Sequence, residues 1–277
     1  MVNNDVHSMT DHELIKFIEH VRFQTGINLD ASKRYLLESR LGPILQRFSL
    51  DSYAELLRCV AIDSSIENQA LISAITTNET YFFRDEHPFD LFKYKLIPDL
   101  LGKNQNTAVK IASAACSSGQ EAYSMAMVLK EILFDLTAFK VQIKAFDISD
   151  EIVAAASRGE YSKFEVKRGL SDEQIRCYFD CADSRYQVKP ELRSIISFSK
   201  QNLFKPAGIM GKFNIIFCRN IVNYFEEKDR ALLFDNLAAM LLPRGVLVIG
   251  ATEFINDKSG NFVKKSEKGS VYYEKLG

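Results

Sequence analysis

"AVKIASAACSSGQEAYSMAMVLKEILF" (108–134) decides the fold. Its first nine residues are small and apolar apart from Lys110, the pattern of a strand buried on both faces. The run breaks at "SSG", and helical spacing of apolar residues follows. A strand that turns through Gly119 straight into an amphipathic helix opens a parallel βαβ unit.

Downstream the alternation repeats. "FKVQIKAFDIS" (139–149) is a second strand ending at Asp147, and "DEIVAAASRG" (150–159) a helix stopped by Gly159. After a mixed segment come the strands "SIISFSKQNL" (194–203) and "FNIIFCRN" (213–220) and a long helix, "EEKDRALLFDNLAAMLL" (226–242). The turn "PRG" (243–245), the strand "VLVIGAT" (246–252) and a closing hairpin, "NFVKKSEKGSVYYEK" (261–275), complete the chain. The fold class is therefore α/β, a doubly wound and mostly parallel sheet with an antiparallel C-terminal hairpin.

Upstream of residue 76 everything reads as helix. In "DHELIKFIEHVRFQTGI" (11–27), Leu14, Phe17, Ile18 and Val21 fall at helical spacing after a cap at Thr10 or Asp11, and Gly26 stops the run. The stretches 30–50, 51–62 and 65–75 add further helices, making a small all-α domain. The expected organisation is a helical domain over 1–76, a linker over 77–100 that contributes to a site, and the α/β domain over 101–277.

Composition excludes several classes. Of 277 residues 47% are hydrophobic and 26% charged, and the net charge of -1 gives no general pull toward nucleic acid or an anionic membrane. No apolar run approaches the ~20 residues that span a bilayer, and the N-terminus lacks the order of a signal peptide, so a cytoplasmic protein without membrane insertion is expected. The five cysteines form no CxxC pair, and no histidine stands at metal-ligand spacing.

In a doubly wound sheet, ligands bind beyond the carboxyl ends of the strands. After the first strand comes "ACSSGQE" (115–121), which is neither a dinucleotide fingerprint nor a P-loop. Asp147 ends the second, suited to both hydroxyls of a ribose; a helix-capping aspartate is the plainer alternative. The other ends carry Gln201, Asn202 and Leu203, and Cys218, Arg219 and Asn220, groups able to fix an adenine edge or a carboxylate. A single-glycine turn with an acidic residue on the next strand suits adenosine without a pyrophosphate, and S-adenosyl-L-methionine is such a ligand.

Five segments make a more specific case. "LLESRLGPILQRFSLDSYAELL" (36–57), "TTNETYFFRDEHPFD" (76–90), "ACSSGQEAYSMAM" (115–127), "FDISDEIVAAASRGEYS" (146–162) and "NIIFCRNIVNYF" (214–225) together resemble the chemotaxis receptor glutamate methyltransferases, the CheR type. The resemblance implies a class I S-adenosylmethionine-dependent methyltransferase fold behind the helical domain. It also implies methyl esters formed on glutamates of the cytoplasmic helical domain of chemoreceptors, with S-adenosyl-L-homocysteine as product. A segment matching Asn78 to Arg84 folds over the cofactor in the family. Asn78, Thr80 and Arg84 are carried over as cofactor contacts, with Arg84 also facing the reaction centre. Glu121 and Asp147 match a cofactor-binding glutamate and the ribose ligand. Asn202, Leu203, Cys218, Arg219 and Asn220 match adenine and methionine contacts, and Tyr224 a tyrosine near the transferred methyl.

Phe82 and Phe83 then read as anchors of the covering segment. The basic residues Lys33, Arg34, Arg40 and Arg47 read as a docking face for acidic receptor helices, or else as an ordinary solvated helix face. Two features depart from the family. "GATE" (250–253) lacks a histidine that members often carry, and "FDCADSRYQVKPEL" (179–192), within a small β subdomain expected around 165–195, has a short loop without glycines. No dependence on a tethering peptide is expected, and the protein is expected to act as a monomer. A methyltransferase with another acceptor and a catalytically silent receptor-binding adaptor are the competing classes.

Overall fold

In the structure, a computed structural model that describes residues 8–103, 108–133, 136, 140–204, 211–267 and 269–277, the chain begins with helix α1 (Asp11–Thr25). Thr10 and Glu13 cap each other's backbone at its start, and Gly26 ends it at φ 75°. A 3-10 turn (Ala31–Lys33) leads into α2 (Arg34–Phe48), followed by α3 (Tyr53–Val60) and α4 (Ile66–Ile75). Leu14, Phe17, Val21, Leu37, Leu41, Leu56 and Leu71 meet in a core belonging to this domain.

Residues 76–86 form a strap without regular structure. Helix α5 (His87–Leu91), a π-helical turn (Phe92–Leu96) and α6 (Ile97–Lys103) follow. Segment 77–100 is therefore more than a connection, because Phe89, Leu91, Phe92, Leu96 and Ile97 lie in the main core. Next come β1 (Val109–Ala114), α7 (Gln120–Leu133), β2 (Val141–Asp147) and α8 (Asp150–Arg158). A compact insert holds β3 (Glu160–Ser162), α9 (Lys163–Lys167), α10 (Asp172–Tyr178), β4 (Phe179–Ala182), β5 (Arg185–Val188) and α11 (Pro190–Arg193). The chain finishes with β6 (Ile196–Lys200), β7 (Phe213–Cys218), a 3-10 turn (Val222–Tyr224), α12 (Glu227–Met240), β8 (Leu241–Val248), β9 (Phe262–Glu267) and β10 (Ser270–Lys275). Phe134, Phe139 and Lys268, read above as helix, strand and turn, lie outside the described residues.

The main sheet runs β6-β2-β1-β7-β8-β10-β9. Strands β6 to β8 are mutually parallel, β10 is antiparallel to both β8 and β9, and the chain moves outward from β1 to β2 and β6 on one side and from β7 to β8 on the other, so strand order reverses between β1 and β7. Alternate residues feed two cores. Ile111, Ile215 and Phe217 face one layer, while Ala112, Ile216 and Cys218 face the layer covered by Leu233 and Leu237 of α12.

Two local readings change. "PRG" is a bulge inside β8 and not a turn before it: pairing with β7 jumps from Phe213↔Leu241 to Ile215↔Val246, and Arg244 sits at φ 61°. The strand also stops at Val248, because the Gly250 N–H is drawn to the Glu253 carboxylate. The small sheet, ordered β3-β5-β4, begins at Glu160, and β4 and β5 join through Asp183 and Ser184 alone, both left-handed at φ 48° and 66°.

Candidate functional site

A cleft opens where the parallel strands end, at the reversal of strand order. Its floor is the turn after β1, a strained piece of backbone with Ala115 at φ 58° and Ser117 at φ 50°. That twist turns the Ser117 N–H onto Asp147 Oδ2 at 2.9 Å, while the Ser149 N–H reaches Oδ1 at 3.2 Å. Burial lifts the Asp147 carboxyl above its ordinary range, opposed by the backbone N–H groups of Ser117, Ser149 and Ile148. A buried carboxylate at a cleft wall, with its remaining lone pairs open, is a ready acceptor for a diol.

The roof is the strap. Phe82 is fully buried, edge-on to Tyr161 at 5.0 Å and to Phe179 at 5.6 Å between ring centres. Phe83 packs edge-on against Phe89, and its N–H donates to Ser124 Oγ. So anchored, the strap passes over the β1 turn, where Ser117 Oγ donates to the Asn78 carbonyl at 3.0 Å. Asn78, Thr80 and Arg84 all line the cleft. The Arg84 guanidinium donates one hydrogen bond, to the Glu79 carbonyl at 2.6 Å, and lies over the Tyr81 ring.

A buried ionic knot joins strap to sheet. Arg219, with 2% of its side chain exposed, donates to Glu121 Oε2 at 3.1 Å, Asp85 Oδ2 at 2.8 Å and the Arg84 carbonyl at 2.6 Å. Ser113 Oγ holds the other oxygen of Glu121 at 2.7 Å. Glu121, Asp147, Leu203, Arg219, Asn220 and Tyr224 line the cleft as well, and Tyr224 is 39% exposed at its mouth.

One residue expected at the site lies outside the cleft lining, and a second is shared with the helical domain. Cys218 does not line the cleft: as the last residue of β7 it points with Ile216 into the α12 layer and is fully buried. Asn202 lines the cleft and also bridges to the helical domain, with one N–H and one lone pair of its amide beyond these bonds. Nδ2 donates to the Gln24 carbonyl at 2.7 Å and Oδ1 accepts from the Phe204 N–H. The last turn of α1 leaves carbonyls without helical partners, and Asn202 serves one of them.

That contact exposes a wall the sequence did not announce. Thr25 and Ile27 of the helical domain line the cleft opposite Phe204, Ile221 and Phe225. The wall is fixed by an isolated Ile27–Phe225 bridge, by the Asn28 N–H on the Tyr224 carbonyl, and by Arg22 paired with Glu226 and Asp229. The apolar side chains of Ile27, Leu203 and Phe204 suit a flat base, Asp147 a sugar diol, and Glu121, shared with Arg219, an ammonium; this donor set fits an adenosyl sulfonium amino acid.

Models of two family domains account for nearly the whole chain: the CheR methyltransferase all-alpha domain matches residues 12–76, and the CheR methyltransferase SAM binding domain matches residues 78–271. The chain belongs to the CheR methyltransferase family. Among CheR relatives, chemotaxis protein methyltransferase 1 of Vibrio cholerae is 37% identical over 270 residues, covering 96% of this chain and 98% of its own. Chemotaxis protein methyltransferase 1 of Pseudomonas aeruginosa is 36% identical over 272 residues with the same coverage, and the chemotaxis protein methyltransferase of Borreliella burgdorferi is 35% identical over 254 residues, 90% of each chain. The two CheR matches meet between residues 76 and 78, at the start of the strap.

Among the described residues no helix is long and apolar enough to cross a membrane, and no group of side chains is arranged to hold a metal.

Proposed function

We propose that this protein is an S-adenosylmethionine-dependent O-methyltransferase that forms methyl esters on glutamate side chains of chemoreceptors in the cytoplasm. The observation that carries the proposal is the strapped cleft itself, with Asp147 on its wall and Arg84 and Tyr224 at its mouth, in a chain matched along nearly its full length by chemotaxis methyltransferases.

Bound cofactor supplies a methyl group on a sulfonium. Asp147 would accept from the ribose hydroxyls, Glu121 would serve the amino acid end, and Leu203 and Phe204 would flank the base, with Asn78, Thr80 and Asn220 contributing from the strap and the β7 turn. A glutamate is already ionised at neutral pH, so this chain needs no general base. Its task is alignment and exclusion of water. The Arg84 fork orients the incoming carboxylate while Tyr224 holds it from the mouth.

Burial pushes the Cys116 and Cys218 thiols well above their ordinary range, with the charges of Asp147 and Glu121 adding to it for Cys116 and those of Glu253 and Glu121 for Cys218. Neither is poised as a thiolate nucleophile, which argues against a cytosine-type acceptor.

The decisive assay supplies methyl-labelled S-adenosylmethionine and membranes bearing chemoreceptors, and scores base-labile label released as methanol. Arg84→Ala is expected to lose at least ~10-fold in kcat and Arg84→Lys to keep part of it, since an ammonium centres the charge without the planar fork. Wild-type kinetics in both would remove Arg84 from the reaction.

Receptor docking concentrates on fewer basic residues than the sequence suggested. Arg34 is engaged with Asp11 and the Met9 carbonyl, and Arg40 with the Ile75 carbonyl. Arg40 nevertheless lines, with exposed Arg47 and Arg158, a groove between α2, α4 and α8 that runs to Asn78 at the cleft. An acidic receptor helix laid there would bring its glutamate to the strap. Arg47→Glu should raise KM for receptor several-fold and leave S-adenosylhomocysteine affinity unchanged; an unchanged KM would move the docking face elsewhere.

A further inference from the structure

Glu253, whose carboxylate ends β8 by drawing in the Gly250 N–H, lies outside the strap and exposes 7% of its surface. Its neighbours Thr252 and Phe254 are exposed, so this one side chain of the turn is drawn inward. It gathers three backbone N–H groups: Oε2 accepts from Asn220 at 2.8 Å and Gly250 at 2.7 Å, and Oε1 from Val222 at 2.7 Å.

We propose that Glu253 is a positioning residue for methyl transfer, its carboxylate setting the turn that presents Asn220 and Tyr224 to the cleft. The inference rests on the roles given above to those two residues. Asn220 stands at φ 61°, a conformation that non-glycine residues avoid unless their surroundings impose it. The 3-10 turn that carries Tyr224 begins at Val222, and Ile221 before it has no side-chain acceptor to cap it. Glu253 supplies that cap from 31 residues downstream. One acceptor-only group thus fixes the left-handed residue and the start of the tyrosine turn together, and ties both to the end of β8. A carboxamide has only one acceptor oxygen, and its NH2 would face backbone donors.

Gly250 closes the arrangement from the far side. A Cβ there would lie 2.7 Å from Glu253 Oε2 and 2.9 Å from Asn220 Nδ2. Gly250→Ala therefore displaces the same carboxylate without touching the acid.

The test compares wild type, Glu253→Gln, Glu253→Asp and Gly250→Ala in the full chain, by thermal unfolding, S-adenosylhomocysteine affinity, and kcat and KM with receptor membranes. Expected are a folded Glu253→Gln protein whose kcat per folded molecule falls ~10-fold or more with receptor KM within about twofold, the same loss in Gly250→Ala, and partial recovery in Glu253→Asp, which keeps the charge. A folded Glu253→Gln with wild-type kcat, or a loss accounted for wholly by unfolded protein, overturns the proposal. Should wild type esterify no receptor, the functional reading fails and cofactor affinity decides this one: ~10-fold weaker S-adenosylhomocysteine binding in Glu253→Gln supports it, and unchanged binding overturns it.

Discussion

Arg219→Leu is expected to destabilise the protein by about 3–5 kcal/mol and to abolish measurable cofactor binding, because it removes one partner of a buried ionic group and leaves the others uncompensated. Glu121 would keep a charge with only Ser113 to hold it, and Asp85 and the Arg84 carbonyl would lose their tie to the sheet. The strap would keep its Phe82 and Phe83 anchors and the Ser117–Asn78 bond, but its C-terminal end would come loose from the sheet. Arg219→Lys should fall between, since one ammonium on a flexible stem cannot reach three acceptors in a planar fan. Chemical denaturation and S-adenosylhomocysteine calorimetry read both effects; a loss below about 1 kcal/mol would mean the knot is ornamental.

Gly169→Ala is expected to be as damaging, by a steric route. Gly169 sits at φ 106°, and a Cβ built on it would lie 1.9 Å from the Phe82 carbonyl oxygen, a distance that backbone atoms cannot accept. Either the insert or the strap must move, and Phe82 is the anchor of the strap. We expect a loss of about 3 kcal/mol or more in stability together with lost turnover. Gly211→Ala is the matched control: φ 91° there imposes comparable backbone strain, but nothing among the described residues lies within 4 Å of the added methyl. It should cost about 1 kcal/mol and leave activity intact. Equal effects at the two glycines would show that backbone conformation, not the strap contact, is at stake.

What the sequence disclosed, and what it hid, follows from the range of the interactions. The strand–turn–helix at 108–134 and the carboxylate of Asp147 are local features: a buried strand, a tight turn and a polar residue at a strand end are written in neighbouring residues. Arg84 and Tyr224 stood out only through the resemblance, since neither periodicity nor spacing singles them out. Thr25 and Ile27 could not be read at all, because what makes them a cleft wall is the approach of Phe204 and Phe225 from the far end of the chain. The Asn202 amide is legible as a polar group at a strand end, but its bond to the Gln24 carbonyl of α1 is not, because no local pattern reveals it. The burial of Cys218 is legible in principle: counting alternate residues back along β7 places it with Ile216, in the layer that α12 covers. Glu253 is set off in the sequence only by its place in the GATE segment, and the three N–H groups around it come together only in the fold.

The wall contributed by the helical domain also bears on how the protein is made. Arg22 and Glu226 are 204 residues apart in sequence, and Asn202 meets Gln24 across 178. A chain leaving the ribosome would complete and fold its first four helices long before the partners of Thr25 and Ile27 exist. The cleft cannot close until residues near 229 have emerged, so a nascent chain is unable to take up cofactor and the catalytic centre is among the last parts of the molecule to form.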